Sequence, residues 1–168
     1  MGYNTDFNGE FNLNKPLTEA QKNYLEKFAG TRRVKRNASI AEKMNDPERV
    51  AVGLPVGTDG EFFVGGLGFA GQDDDDSVVS SNNPPSAQPG LWCQWIPNDT
   101  GTAIIWDGGE KFYNYVEWLD YLIENIFKPW GYVLNGEMYW YGEDRDDAGI
   151  IFVENNEIRV KSGTMVYS

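Results

Sequence analysis

Histidine is absent from this 168-residue sequence, and cysteine occurs once, as Cys93. Without histidine the commonest general base and the commonest metal ligand are both missing, so a Ser-His-Asp or Cys-His mechanism cannot be written. A single cysteine excludes a disulfide framework and nearly excludes a thiolate metal cluster within one chain. Long apolar runs are missing too, since none approaches the roughly 18 residues that a membrane-spanning helix needs. The segment Met1-Gly2-Tyr3-Asn4-Thr5-Asp6 has no basic patch leading into an apolar stretch, so no secretory signal is expected. A myristoylation signal would want Ser or Thr where Asp6 stands. These absences set the expectation of a soluble, cytoplasmic protein with no cofactor, no metal site and no catalytic residue that can be named.

What remains is enough for a folded domain. Hydrophobic residues make up 40% of the chain and aromatics 14%, which suits a buried core and rules out a disordered chain. The net charge of −12 is unevenly spread. Lys15 to Arg49 holds nine basic and five acidic residues, a local +4, whereas residues 50 to 168 hold five basic and nineteen acidic, a local −14. An acidic whole argues against generic nucleic-acid binding, because phosphate repulsion dominates. A focused cationic pocket stays possible, since charges beyond about 8–10 Å are screened at physiological salt.

Tyr3, Thr5, Phe7, Phe11 and Leu13 fall on odd positions, the period of a half-buried strand, with Gly9 at a candidate bulge. Pro16 ends it. Thr18 as N-cap and Gln21 three residues on form a capping box for a helix with Tyr24, Leu25 and Phe28 on one face and Gly30 at its end. A short helix is expected over Ala38 to Met44 with Ser39 as cap, and a short strand over Glu61 to Val64. Residues 72 to 90, with Asp73 to Asp76 and three prolines, read as a long loop within a single domain spanning 1–168. Leu91 to Ile96 and Thr102 to Trp106 read as a hairpin. Glu110 to Phe127 reads as the main helix, with Phe112, Tyr115, Val116, Leu119, Leu122, Ile123 and Ile126 on one face and Pro129 beyond its end. Tyr132 to Leu134 and Glu137 to Tyr141 flank Asn135-Gly136, a hairpin signal, and Ile150 to Val153 and Ile158 to Lys161 flank Asn155-Asn156. The fold class expected is α+β: an N-terminal strand–helix and a C-terminal β-β-α-β-β-β-β unit forming a curved antiparallel sheet.

Arg32, Arg33, Lys35 and Arg36 form the densest cationic run, and guanidinium forks bind phosphate bidentately. The alternative is that these cations pair with the chain's own acids, or sit solvated after a helix C-terminus. Six tryptophans, among them Trp92, Trp95 and Trp118, accompany Tyr113 and Tyr121; off a helix stripe or on a wet strand face they stack a base or a sugar, and under loops they are packing. Asp73 to Asp76 lack the ligand spacing of a calcium loop. Asp107, Glu110, Glu137 and Glu143 are carboxylates for an acid–base pair if one is raised by burial, and Glu110 alternatively serves as a first-turn anion. The glycine-rich stretch from Gly53 to Gly71 matches neither a dinucleotide fingerprint nor a phosphate loop. Cys93, between two tryptophans, reads as a small buried hydrophobe.

Several segments together carry a resemblance: Gly2-Tyr3-Asn4-Thr5-Asp6-Phe7, Thr31-Arg32-Arg33, Asn83-Pro84-Pro85, Gln88-Pro89-Gly90-Leu91-Trp92-Cys93-Gln94-Trp95, Trp106 to Tyr113, Trp130-Gly131-Tyr132 and Gly142-Glu143-Asp144. Over nearly its whole length the chain resembles a family of short proteins carried by bacteria and bacteriophages. The resemblance implies no activity and labels no residue catalytic; a phage setting implies host takeover or counter-defence in the host cytoplasm.

Three functions follow as expectations. The first is a binding protein for a small anionic ligand, a nucleotide or nucleotide-derived signal that a phage protein would sequester. Arg32, Arg33 and Arg36 would hold phosphates, and Trp92, Trp95, Tyr113 and Trp118 would stack the base, with Glu110 at the rim. The second is an acidic inhibitor that copies the charge of DNA and docks on a host protein. The third is a carboxylate-based hydrolase of a glycosidic or phosphoester bond.

Overall fold

A computed structural model describes residues 2–66 and 75–164. In chain order the elements are β1 (Thr5–Leu13), α1 (Glu19–Ala29), β2 (Lys35–Arg36), α2 (Ala38–Ala41), α3 (Pro47–Ala51), β3 (Val78–Ser80), β4 (Trp95–Pro97), β5 (Ala103–Trp106), α4 (Tyr115–Leu122), α5 (Lys128–Trp130), β6 (Leu134–Gly142), β7 (Ala148–Glu154) and β8 (Glu157–Gly163). The class is α+β, with a six-stranded antiparallel sheet and an N-terminal strand followed by a helix. Contacts group the chain into two compact units, Met1–Pro16 with Gln94–Ser168, and Leu17–Cys93.

The first unit is built on the sheet, in the order β4-β5-β1-β6-β7-β8. β1 lies at its centre because Phe7 and Phe11 alternate with Asp6, Asn8, Glu10 and Asn12, giving one apolar and one polar face. It pairs with β6 without interruption from Thr5↔Gly142 to Leu13↔Leu134. Gly9 therefore makes no bulge in this ladder. It sits at φ 133° because a Cβ there would run into the Glu137 carbonyl. Gly136 answers it from the other strand at φ 155°, against the Glu10 carbonyl. Asn135-Gly136 is thus mid-strand rather than a turn, and two expected strands merge into β6, so three strands follow the helix. The Asn155-Asn156 turn does form, with φ of 51° and 69° at the two residues, the left-handed pair that a two-residue hairpin takes.

The main helix begins later than its apolar spacing suggests. Lys111 and Asn114 both adopt left-handed φ, 59° and 58°, so Glu110 lies ahead of the helix and has no first-turn role. Trp118 and Tyr121 lie in the core and not on a rim, because the helix buries Leu119, Leu122, Ile123, Ile126 and Phe127 around them. Its last turns widen into a π-turn over Ile123–Phe127, just before Pro129. The wider turn gives the proline ring room where an α-turn's carbonyl would clash, so the helix carries through Pro129 and stops at left-handed Gly131. Phe112 and Tyr115 pack edge-on against Phe7, and Tyr115 tilts against Trp140, so the helix start covers the apolar sheet face.

The second unit, Leu17–Cys93, holds short helices and long connections. α1 has the Thr18–Gln21 capping box and ends at Gly30. α2 is capped by Asn37, whose side chain accepts from the Ile40 amide, not by Ser39. Glu61 to Val64 is not a strand: Tyr24 donates to the Phe62 carbonyl at 2.7 Å, and Phe63 is buried with Ala41 and Val56. Residues 72–74 of the expected loop lie outside the described residues. From 75 onward the segment forms β3 on β2 and returns through Gln88, which is buried and donates to the Glu61 carbonyl. Cys93 is buried, as its reading as a small core residue expects.

Candidate functional site

The arginines expected to hold phosphate lie in Leu17–Cys93. Arg33 is 2% exposed; its Nη2 donates to the carbonyls of Glu61 and Phe63, each at 2.8 Å, and its guanidinium lies 4.3 Å from the Phe28 ring centre. Arg36 is 3% exposed, donates to Asp75 at 2.9 Å and to Ser77 Oγ at 2.7 Å, and stacks on Phe63. Burial works to raise the Asp75 carboxyl, but hydrogen bonds from Ser77 and Arg36 outweigh it and hold the carboxyl below the ordinary range. Arg49 pairs at 2.6 Å with Asp46, whose side chain is wholly buried. Desolvation raises Asp46 against the pull of that arginine. Arg32 is half-buried and donates from Nε and Nη2 to the Ser81 carbonyl. These forks are directed at the unit's own carbonyls and carboxylates, where cation–aromatic contact helps offset desolvation.

The aromatic candidates divide similarly. Trp95 is buried under Phe7, Phe11 and Phe112 and donates to the Tyr115 carbonyl at 2.9 Å, and Trp118 is buried edge-on to Tyr121. Trp92 is half-buried and belongs to the Leu17–Cys93 unit. Tyr113 is exposed and its hydroxyl accepts from the Tyr3 amide, while Glu110 is exposed on the same loop. The candidate set is thus split: Arg32, Arg33, Arg36 and Trp92 belong to one unit, Trp95, Glu110, Tyr113 and Trp118 to the other.

The first unit presents a different constellation. Side chains on paired residues of an antiparallel ladder share a face. Across the polar face, Tyr139 faces Ile150 and Ile150 faces Lys161; Glu137 faces Phe152 and Phe152 faces Arg159; Tyr141 faces Ala148. Tyr139 is 38% exposed, Ile150, Phe152 and Tyr141 are half-buried, and both cations are exposed. Two shallow clefts border this face, about 300 Å³ beside Tyr139, Tyr141 and Ile150, and about 470 Å³ at the β8 edge beside Phe152, Arg159, Val160 and Lys161. The Tyr139 hydroxyl donates to Glu137 at 3.3 Å, and the Glu137 charge raises it above its ordinary range. Apolar rings beside two cations suit a flat ring joined to an anionic group.

The expected strands Ile150 to Val153 and Ile158 to Lys161 contain Phe152, Arg159 and Lys161, but none of the three stood among the candidate site residues. The available signal was alternation in Ile150 to Lys161, which puts rings and cations on the polar face. Among the described residues no group of three or more Asp, Glu and Cys is placed to hold a metal ion, and no helix is long and apolar enough to cross a membrane. Comparison with known proteins returns no matching family model, no matching curated protein and no matching solved structure.

Proposed function

We propose that this chain is a binding protein for a small anionic ligand bearing a flat ring, a nucleotide or nucleotide-derived signal, seated on the outer face of β6, β7 and β8. In a phage setting its role is sequestration of that molecule. The observation that supports this reading is the neighbourhood of Phe152, Ile150 and Tyr139 to Arg159 and Lys161 on one exposed face. The ring stacks on the aromatics, a contact worth about 1–3 kcal/mol per base, and the anion takes charge-assisted bonds from the two cations. The larger cleft, about 470 Å³, falls within the size range of small-molecule sites.

Calorimetric titration with mono-, di- and cyclic nucleotides tests it. Saturable binding is expected, weakened by about tenfold or more in Phe152→Ala, the loss of a single stacking contact. No heat at millimolar nucleotide, or unchanged affinity in an Arg159→Ala/Lys161→Ala double variant, would overturn it.

A further inference from the structure

The two edges of the six-stranded sheet are unequal. β4 spans three residues and ends at Pro97, a short edge that offers little to a further strand. β8 spans seven residues, has no proline, and among the described residues pairs with β7 alone. Because a two-residue turn joins β7 to β8, Glu154↔Glu157 is the pair that exchanges both hydrogen bonds. The backbone groups of Glu157, Arg159 and Lys161 therefore point at β7, and those of Ile158, Val160 and Ser162 point away from the sheet. Val160 is 49% exposed.

We propose that β8 pairs antiparallel with β8 of a second copy, extending the sheet across a two-fold axis at Arg159. Charge and shape select the copy as occupant. The chain carries −12, yet the β7–β8 hairpin is neutral, with Glu154 and Glu157 balanced by Arg159 and Lys161. Two copies repel through the rest of the molecule and meet here without net repulsion. In the register centred on Arg159, Ile158 bonds Val160 of the second copy and the reverse, with both apolar side chains on the covered face. On the outer face Glu157 stands opposite Lys161 of the second copy, twice. The two Arg159 side chains meet at the axis, each already paired with its own Glu154 at 3.2 Å. Sliding by one step puts Arg159 opposite Lys161 twice, like against like. Sliding the other way sets Glu157 opposite Arg159 twice, but it carries Val160 onto the Asn155-Asn156 turn and loses backbone bonds, which decides against it. The favoured register is set by the sequence of β8 itself.

Sedimentation velocity on the ligand-free full chain tests the proposal independently of nucleotide binding. The wild type is expected to run at twice 19.0 kDa. Glu157→Lys and Lys161→Glu each turn two attractive pairs repulsive, and each should weaken the dimer by about tenfold or more. The double exchange restores both pairs and should recover the dimer. Val160→Pro, which removes an outward N–H without touching the β7 ladder, should give a monomer with unchanged far-UV circular dichroism. A wild type that stays monomeric at high micromolar concentration, a dimer indifferent to either single exchange, or a double exchange no better than the singles would each overturn the proposal.

Discussion

Two groups of cations in this chain have opposite fates. Arg33, Arg36 and Arg49 lie within the Leu17–Cys93 unit with their forks spent on carbonyls and carboxylates, whereas Arg159 and Lys161 stand on the solvent face of a strand. Arg33 and Arg36 are conspicuous in sequence because they belong to a run of four cations in five residues, with Arg32 and Lys35. The second group is two residues in an alternating strand. A dense run of arginine is therefore no guide to a charged surface. A segment poor in regular structure has many carbonyls to satisfy, and guanidinium, with five donors in a plane, satisfies several at once.

The contrast is sharpest where a buried partner would be stranded. Arg49→Met removes the partner of Asp46 inside the core and should cost about 3–5 kcal/mol in urea unfolding. Retention of wild-type stability would show that Asp46 is neutral in the folded chain. Arg33→Met withdraws two charge-assisted bonds from the Glu61 and Phe63 carbonyls and should cost about 2–4 kcal/mol, measured the same way. Gly136→Ala probes the sheet unit: its Cβ would meet the Glu10 carbonyl at a φ that L residues avoid, and a loss of about 1–3 kcal/mol is expected.

The ion pair between Arg36 and Asp75 gives a smaller, pH-dependent effect. The Asp75 carboxyl is held below its ordinary 3.8, so the folded chain favours the charged form. A depressed carboxyl contributes fully above the unfolded value and loses that contribution as pH falls through the folded value. Asp75→Asn should therefore be less stable than wild type at neutral pH and converge with it in acid, as followed by melting temperature against pH. Last, at concentrations too low for the chain to dimerise, Arg159→Ala with Lys161→Ala should shift unfolding stability by less than about 0.5 kcal/mol while abolishing nucleotide binding, the reverse of the Arg33 result.

What the sequence made legible was local. The capping box of α1 and the Asn155-Asn156 turn each depend on a few adjacent residues, and both form as expected. Asn135-Gly136 carries the same kind of signal, but pairing with β1, more than a hundred residues away, holds it extended. The helix start failed for a related reason. Left-handed Lys111 and Asn114 turn the chain so that Phe112 reaches Phe7, and apolar spacing cannot register such a turn. Trp118 and Tyr121 looked peripheral because periodicity assumes one buried face, whereas this helix is buried on more than one. The candidate site was less legible still. Whether an arginine points inward depends on which carbonyls lie nearby, and distant segments bring those.

The central place of β1 also has a consequence for synthesis. Its partner β6 ends at Gly142, so the strand made first waits for well over a hundred residues before its long ladder can form. At about 5–20 residues per second that wait is on the order of ten seconds on the ribosome. During that interval only the short pairing with β5, at Phe11↔Ile104 and Asn12↔Ala103, is open to β1. Asp6, Asn8, Glu10 and Asn12, which later form a polar sheet face, leave the waiting strand apolar at alternate positions only, a pattern that lowers the drive to self-association.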